Sequence, residues 1–220
     1  SLDGYKTAYK DEIKNAKAEW DSIVDEYYST ELEGGLNQTL ALGIINNFMS
    51  DSDIAVGSAG SLPGDMQRLW RAGNPCTYHM EYGYSNMAYE INGALGVKIA
   101  NPEAEVYAFC GDGSFHMGHS ELYTSLQEGI KINVCLFDNE GWGCIENLQN
   151  NQGTDTFGTV FRARNPKTGM LDGDRITVDF AKIAEGYGAK AYKVHNSEEL
   201  KLALEDAKKQ NVSCLFDIKV

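Results

Sequence analysis

The residues best suited to chemistry form a short polar sequence, Gly-Asp-Gly-Ser at positions 111–114, which directly follows an apolar run at 106–110. Glycines at 111 and 113 allow the backbone to turn sharply and to approach a ligand without an intervening side chain. The amides of Gly113 and Ser114 would then face outward at the start of the next helix, where a phosphate group binds favourably. The sequence therefore predicts a phosphate site here, although Asp-Gly pairs also mark ordinary turns.

Asp112 places a negative charge beside this predicted phosphate site, and such an arrangement requires a cation between the two. Magnesium prefers one or two carboxylates together with neutral oxygens and phosphate oxygens in an octahedron. Asn139 follows the next apolar run, and its amide oxygen could coordinate the ion without adding charge. The backbone carbonyl of Gly141 could supply a further ligand, so we expect a magnesium site at Asp112, Asn139 and Gly141.

Charge and composition exclude several classes of partner. The formal net charge is -13, and no basic patch is present, which argues against binding to nucleic acid or to an anionic membrane. No apolar run has the length of a membrane span, and no signal-peptide pattern opens the chain. The five cysteines are never spaced as CxxC, which favours reduced thiols in a cytoplasmic protein. The chain begins with Ser1 instead of Met, and we expect that something upstream has been removed.

The elements that must position these residues alternate between helices and strands. An amphipathic helix is predicted at 2–28, and a break at 33–35 separates it from a second helix at 36–49. Further helices are predicted at 85–100, 121–127, 179–187 and from 197 onward, with strands at 54–57, 106–110, 132–137, 190–194 and 214–220. Residues 149–174 show little pattern and are predicted to form a functional or mobile loop.

The strands are solid apolar runs, which is typical of a parallel sheet covered on both faces. The predicted fold is therefore α/β, with three α/β/α layers and a mostly parallel sheet. Ligands of such sheets bind beyond the carboxyl ends of the strands, where both polar turns are expected to lie. We predict an N-terminal helical extension over residues 1–30 and a single ligand-binding domain over residues 31–220.

The order of these features matches the thiamine diphosphate signature, which consists of Gly-Asp-Gly, an intervening helix and strand, and then Asn. The chain resembles the acetolactate-synthase-like family of thiamine diphosphate enzymes, and the resemblance extends over nearly all of its length. Thiamine diphosphate and Mg²⁺ are the cofactors that this resemblance implies, and the fold it implies is the thiamine diphosphate-binding fold.

Further cofactor contacts are implied by the same resemblance. Ser-Asn-Met-Ala at 85–88 and the apolar stretch after it are similar to the helix before the signature, so Met87 would wedge under the cofactor and bend it into a V shape. Ser85, where the family usually has Gly, would offer its backbone carbonyl to the aminopyrimidine. The loop at 57–64 aligns with a second diphosphate-contacting loop, with Ser61 as the candidate, and Trp142 could line the pocket. Met87 and Trp142 could instead be packing residues, and the loop a plain connection.

Several segments resemble one branch of the family, the carbon–carbon hydrolases that open a cyclic 1,2-dione in myo-inositol breakdown. These segments are 79–85, 111–115 with 119–122, 124–129 and 157–166. The resemblance implies the same reaction, with the cofactor as electron sink. His79, His116 and His119 are acid–base candidates, because histidine titrates near neutrality, although each could equally be structural. An acetolactate synthase or a 2-oxoacid decarboxylase is the alternative.

One expected catalytic residue has no counterpart in this sequence. The glutamate that protonates the pyrimidine ring lies on a separate N-terminal domain in this family. The resemblance thus implies an upstream pyrimidine-binding domain or second subunit that completes the active site, a homo-oligomer at full length, and no turnover by this chain alone. A small subunit of a split enzyme and a non-catalytic diphosphate-binding remnant are the other possibilities. A dinucleotide-binding domain is disfavoured, because no GxGxxG follows an early strand.

Overall fold

The central feature of the computed structural model, which describes residue 4, residues 7–32 and residues 35–220, is a six-stranded sheet. Every pair of neighbouring strands is parallel, and the strand order is β2-β1-β3-β4-β6-β5. The strands are β1 (Ile54–Gly57), β2 (Tyr78–Met80), β3 (Val106–Gly111), β4 (Asn133–Asp138), β5 (Lys190–Val194) and β6 (Cys214–Lys219). The four inner strands are buried almost throughout, which confirms the prediction of a parallel sheet from solid apolar runs.

Helices cover both faces of this sheet. They are α1 (Lys10–Ser29), α2 (Gln38–Phe48), α3 (Ser61–Leu69), α4 (Tyr89–Ala100), α5 (Asp112–Gly118), α6 (Ser120–Gln127), α7 (Gly143–Asn151), α8 (Phe180–Tyr187) and α9 (Ser197–Ala207). Side chains from α1, α2, α3 and α9 build the apolar core on one face, and those from α4, α5, α6 and α8 build the core on the other. The predicted three-layer α/β/α architecture is therefore confirmed.

The connections around β1 determine where a ligand can bind. The chain leaves β1 through α3 to reach β2 on one side, and it returns through α4 to β3 on the other side. Since α3 and α4 lie on opposite faces of the sheet, a crevice opens between the carboxyl ends of β1 and β3. The Gly-Asp-Gly-Ser sequence begins at the end of β3, and β4 lies beside it, so Asn139 faces the same edge of the sheet.

Three elements were not predicted from the sequence. Helix α3 begins at Ser61, within the stretch 57–64 that was interpreted as a loop, because the glycines and the proline of that stretch are typical of a loop. The strand β2 is three residues long at the sheet edge and is not fully buried, so it leaves no apolar run. Helix α7 buries none of its side chains, so it leaves no helical apolar period. Residues 152–179 contain no regular helix or strand, but isolated bridges pair Gly141 with Val160 and Arg162 with Arg175.

Several predicted boundaries were wrong. The helix predicted at 85–100 begins only at Tyr89, because Ser85 and Ala88 adopt left-handed backbone angles, with φ of 53° and 74°. The Gly-Asp-Gly-Ser sequence continues directly into α5 from Asp112, ahead of the predicted helix at 121–127. Residues 2, 3, 5 and 6 of the first predicted helix, and residues 33 and 34 of the predicted break, lie outside the described residues.

Two further properties of the chain bear on its environment. Within the described ranges, no helix has both the length and the apolar character needed to span a lipid bilayer. All five cysteines are free thiols, and Cys110, Cys135 and Cys214 are buried.

The first helix is docked against the core by its C-terminal half. The Tyr28 hydroxyl donates a hydrogen bond of 2.7 Å to the carbonyl oxygen of Leu69, and Arg71 pairs with Asp25 at 2.7 Å. The Tyr28 ring lies against Gly43 of α2, where an added Cβ would be only 2.5 Å from Cγ of the ring. Gly43 therefore allows α1 and α2 to approach closely.

This close approach predicts the effect of adding one methyl group. Gly43→Ala and Gly96→Ala both place alanine within a helix, but a Cβ at Gly96 of α4 would meet no atom within 4 Å. The gain in helix propensity should be similar in both variants. We expect Gly43→Ala to be about 1–3 kcal/mol less stable than Gly96→Ala, because the added methyl overpacks the contact with Tyr28. Urea unfolding measures the difference, and equal stabilities would contradict the described packing of α1 on α2.

Candidate active site

A cleft of about 350 Å³ lies at the carboxyl ends of β1, β3 and β4, at the crevice that the topology creates. All ten residues that the sequence nominated for cofactor or metal binding line it. They are Ser61, Ser85, Met87, Gly111, Asp112, Gly113, Ser114, Asn139, Gly141 and Trp142. The fold therefore brings together residues from four separate segments of the chain, although their individual roles stay predictions.

The Gly-Asp-Gly-Ser turn forms the floor of the cleft. Gly111 ends β3, and Asp112 begins α5. A Cβ at position 113 would lie 2.6 Å from Nε1 of Trp142, so the indole closes over Gly113 and leaves no space for a side chain. At Gly111 the nearest atom to an added Cβ is 4.0 Å away, so packing alone does not require glycine there.

Asp112 is 1% exposed and links two strand ends through its carboxylate. Oδ1 accepts a hydrogen bond of 2.7 Å from the amide of Gly113, and Oδ2 accepts one of 3.0 Å from the amide of Gly141. Burial and the neighbouring carboxyl group of Asp138 raise the pKa of Asp112 to about 7. Asp138 is itself buried and pairs with Lys219, whose ammonium group also lies 3.8 Å from the buried carboxylate of Asp217, so one ammonium group serves a cluster of three buried carboxyl groups. This local excess of negative charge favours a bound cation.

The turn after β4 is held in an unusual backbone conformation. Glu140 adopts a left-handed φ of 60°, which is uncommon for a residue other than glycine. Its amide donates to Asp138 Oδ1 at 2.9 Å, its carbonyl accepts from the amide of Phe161 at 2.9 Å, and its carboxylate pairs with Arg175 at 3.0 Å. Segment 159–177 thus braces the turn that carries Asn139 and Gly141.

The oxygen donors at these turns fit magnesium that is bound together with a phosphate. Across the part of the chain that the structure describes, no group of three or more His, Cys, Asp or Glu side chains could hold a metal ion. Asp112, Asn139 and Gly141 offer one carboxylate, one amide and one backbone carbonyl. Magnesium typically takes one or two carboxylates and leaves its other positions to phosphate oxygens and water. These donors therefore suit a site in which phosphate oxygens and water complete the coordination of Mg²⁺, and not a site formed by protein side chains alone.

The opposite wall of the cleft is built from the loop after β1 and from segment 81–88. The Ser58 hydroxyl donates a hydrogen bond of 2.8 Å to the carbonyl of Asn86, which joins the loop to the segment. The Glu81 carboxylate accepts from the amides of Tyr84 at 2.8 Å and Asn86 at 3.1 Å, and these bonds lower its pKa. Together these contacts fix the stretch that carries Ser85 and Met87.

The left-handed φ of 53° at Ser85 is one that glycine adopts without strain, which agrees with the glycine that the resemblance implies at this position. Met87 reaches the cleft from this non-helical stretch, two residues before α4 begins, and not from a helix face as the sequence predicted. The methionine side chain therefore depends for its position on the hydrogen bonds of segment 81–88.

Sequence reasoning missed two buried acids, Asp138 at the end of β4 and Glu90 beside the cleft. Glu90, in the first turn of α4, is 0% exposed and accepts hydrogen bonds from the Ser114 hydroxyl at 2.7 Å and from the Ala59 amide at 3.1 Å. The Ser114 hydroxyl also accepts from the amide of Ala88 at 2.6 Å, so it is engaged in both directions. The sequence carried only a weak signal, since an acid in a first helical turn is also expected from the helix dipole.

The three histidines do not line the cleft. His79 Nε2 lies 2.6 Å from the hydroxyl of Tyr89, and His119 Nδ1 lies 2.9 Å from the hydroxyl of Tyr187. His116 packs edge-on against Phe161 and Phe180, and burial lowers its pKa. Their positions lend no support to the predicted acid–base role, which stays a prediction.

The comparison with known families agrees with the geometry of the cleft. Residues 58–218 match the family described as "Thiamine pyrophosphate enzyme, C-terminal TPP binding domain". The match spans well over half of the chain and includes every residue of the Gly-Asp-Gly-Ser turn and the turn after β4. The chain belongs to this family of thiamine pyrophosphate-binding domains.

Curated relatives share about half of the sequence. The 3D-(3,5/4)-trihydroxycyclohexane-1,2-dione hydrolase of Geobacillus thermodenitrificans is 50% identical over 100% of this chain, which corresponds to 38% of that protein. The enzyme of the same name from Clostridium tetani is 48% identical over 99% of this chain and 37% of its own length. The chain thus spans less than two fifths of the length of these relatives.

A solved structure shows the same fold at low sequence identity. The thiamine diphosphate-dependent 4-hydroxybenzoylformate decarboxylase of Rhodococcus jostii RHA1 superposes with a TM-score of 0.73 at 19% identity. The match covers 87% of this chain and 34% of the decarboxylase chain. This similarity concerns the fold.

The environment of Asp112 predicts how stability depends on pH. The pKa of Asp112 rises from 3.8 to about 7 on folding, so its contribution to stability is greatest below pH 3.8 and is lost as the pH rises toward 7. Asp112→Asn cannot titrate, so in chelator the variant should gain stability relative to wild type between pH 5 and pH 8. Urea unfolding across this range measures the trend, with Asp155→Asn at an exposed position as control. A pH-independent difference for Asp112→Asn would contradict the described environment.

Proposed function

We propose that this chain is the diphosphate- and magnesium-binding part of a thiamine diphosphate-dependent carbon–carbon hydrolase that opens a cyclic 1,2-dione in myo-inositol catabolism. The observation that carries the proposal is one cleft that is lined by buried Asp112 together with Asn139, Gly141 and Met87. Membership of the thiamine pyrophosphate family supports the cofactor, and the names of the relatives at 48–50% identity support the substrate.

Within this proposal, each wall of the cleft has a distinct task. Asp112, Asn139 and Gly141 would hold Mg²⁺, and the amide of Ser114 and the residues around Ser61 would bind the diphosphate. The Gly113 amide is already bonded to Asp112, so its expected contact with phosphate is replaced by a role in orienting the carboxylate. Met87, Ser85 and Trp142 would lie against the rings of the cofactor.

When bound, thiamine diphosphate supplies a carbon nucleophile and an electron sink for cleavage of the bond next to a carbonyl. The residues of this chain contribute binding and orientation. Buried Asp112 and its bonds to two strand ends would fix the metal, and the indole of Trp142 over Gly113 would limit access of water to the floor of the cleft.

The active site that we propose needs a second part. The family glutamate that protonates the pyrimidine has no counterpart in this chain, and the relatives are more than twice as long. We infer that an upstream pyrimidine-binding domain or a second subunit completes the site, that the full-length enzyme is a homo-oligomer, and that it works in the cytoplasm. We also propose residues 1–30 as a helical extension and residues 31–220 as the diphosphate-binding domain.

Calorimetry tests the cofactor assignment directly. We expect thiamine diphosphate to bind the purified chain in the presence of Mg²⁺ and to bind at least tenfold more weakly in chelator, because the buried carboxylates would then repel the diphosphate. Asp112→Ala should abolish the effect of the metal, and Asp155→Ala at an exposed position should leave it intact. ATP and thiamine monophosphate serve as ligand controls, and equal binding of ATP would contradict the thiamine assignment.

A reconstitution experiment tests the substrate. The chain is combined with the upstream portion of the Geobacillus thermodenitrificans relative, and ring opening of the cyclic dione is followed by NMR in the presence of cofactor and Mg²⁺. We expect turnover only with both parts present. Turnover of pyruvate without turnover of the dione would overturn the hydrolase assignment in favour of an acetolactate synthase or decarboxylase. Turnover by the chain alone would contradict the need for a second part.

A further inference from the structure

Glu90 is a buried carboxylate one layer behind the wall of the cleft. It has no exposed surface, and burial raises its pKa. In the described part of the chain no lysine, arginine or histidine pairs with it, so it lacks the ionic partner that would offset the cost of burial. The carboxylate instead accepts hydrogen bonds, and each donor belongs to a residue that lines the cleft.

The two oxygens of Glu90 connect opposite walls of the cleft. Oε1 accepts from the amide of Ala59, in the loop between β1 and α3. Oε2 accepts from the hydroxyl of Ser114, in the first turn of α5 after β3. Ala59 and Ser114 both line the cleft, and they come from the two strands that flank the crevice. A single side chain from a third element therefore sets the separation between the two walls.

The same hydrogen bonds extend to the residue that follows Met87. The Ser114 hydroxyl accepts a bond of 2.6 Å from the amide of Ala88, a non-glycine residue in the left-handed conformation. The left-handed backbone conformation is energetically unfavourable for Ala88, and it persists only where surrounding contacts hold it. The chain of bonds from Glu90 through Ser114 to Ala88 supplies such contacts, and it fixes the backbone next to Met87.

We propose that Glu90 is a positioning residue for the cofactor, which sets the spacing of the diphosphate-binding walls and the placement of Met87 through Ser114 and Ala59. The inference rests on the proposed function and deepens it. It also assigns the Ser114 hydroxyl to the support of the cleft, because its single proton is donated to Glu90 and none is left for a phosphate oxygen. Only the Ser114 amide is then left for the ligand.

The proposal is tested by comparing two ligands of the same chain. Dissociation constants of thiamine diphosphate and of inorganic pyrophosphate, each with Mg²⁺, are measured by calorimetry for wild type, Glu90→Ala, Glu90→Gln and Ser114→Ala. We expect the alanine variants to bind thiamine diphosphate at least tenfold more weakly. The affinity for pyrophosphate should fall by a smaller factor, because pyrophosphate makes no contact with Met87. Glu90→Gln keeps an acceptor for Ala59 and a polar partner for Ser114, so it should recover part of the affinity.

A double variant and a matched control separate positioning from general stability. Glu90→Ala with Ser114→Ala should bind no more weakly than the worse single variant, since both changes break one chain of bonds. Ser125→Ala removes another buried hydroxyl, which is bonded to Leu122 and Ser213 away from the cleft. It should lower stability in urea but change the thiamine diphosphate affinity less than twofold.

Three results would overturn the proposal. Unchanged affinity in Glu90→Gln and Ser114→Ala, with wild type binding normally, would reduce Glu90 to a packing role and leave the proposed function intact. Equal losses for thiamine diphosphate and pyrophosphate would contradict the placement of Met87. Failure of the wild-type chain to bind thiamine diphosphate would contradict the proposed function and this inference together. If Glu90→Ala does not fold, Glu90→Gln and Ser114→Ala decide the outcome.

Discussion

The buried carboxylate of Asp112 is the interaction on which the candidate site depends. Its two oxygens are bonded to amides that follow two adjacent parallel strands, β3 and β4, so the carboxylate fixes those strand ends relative to each other. Burial makes the charge expensive unless something compensates it, and Asp138 nearby increases the cost. The surrounding arrangement limits this cost: Lys219 neutralises Asp138, and segment 159–177 holds the turn at Glu140 in its left-handed conformation.

The opposite side of the cleft is organised by hydrogen bonds to carboxylate and carbonyl oxygens instead of ion pairs. Ser58, Glu81 and Glu90 hold the loop after β1, segment 81–88 and the start of α5 through bonds that mostly involve backbone groups. The two sides thus differ in kind. One side places the buried carboxyl groups of Asp112 and Asp138 where a cation would bind, and the other shapes the space beside it through hydrogen bonds that mostly involve backbone groups.

Much of the fold could be predicted from the sequence because the inner strands are buried on both faces and leave uninterrupted apolar runs. Strand β2 and helix α7 could not be predicted, since an edge strand and an exposed helix carry no such pattern. The left-handed angles of Ser85, Ala88 and Glu140 were equally hidden, because those residue types rarely adopt them and tertiary contacts impose them. The histidines were proposed as acid–base groups only because histidine titrates near neutrality. This property does not indicate where a side chain points in the fold.

The position of Trp142 has a consequence for spectroscopy. The chain contains three tryptophans, and Trp142 alone among them lines the cleft, whereas Trp20 lies on α1 and Trp70 packs edge-on against Phe109 in the opposite core layer. The indole of Trp142 lies against Gly113. It is perpendicular to the ring of Phe161, with the two ring centroids 4.8 Å apart. A chain in which Trp20 and Trp70 are replaced by phenylalanine would carry one intrinsic fluorophore at the floor of the cleft. Binding of a ligand in the cleft can then be followed as quenching of the Trp142 fluorescence, without an added label.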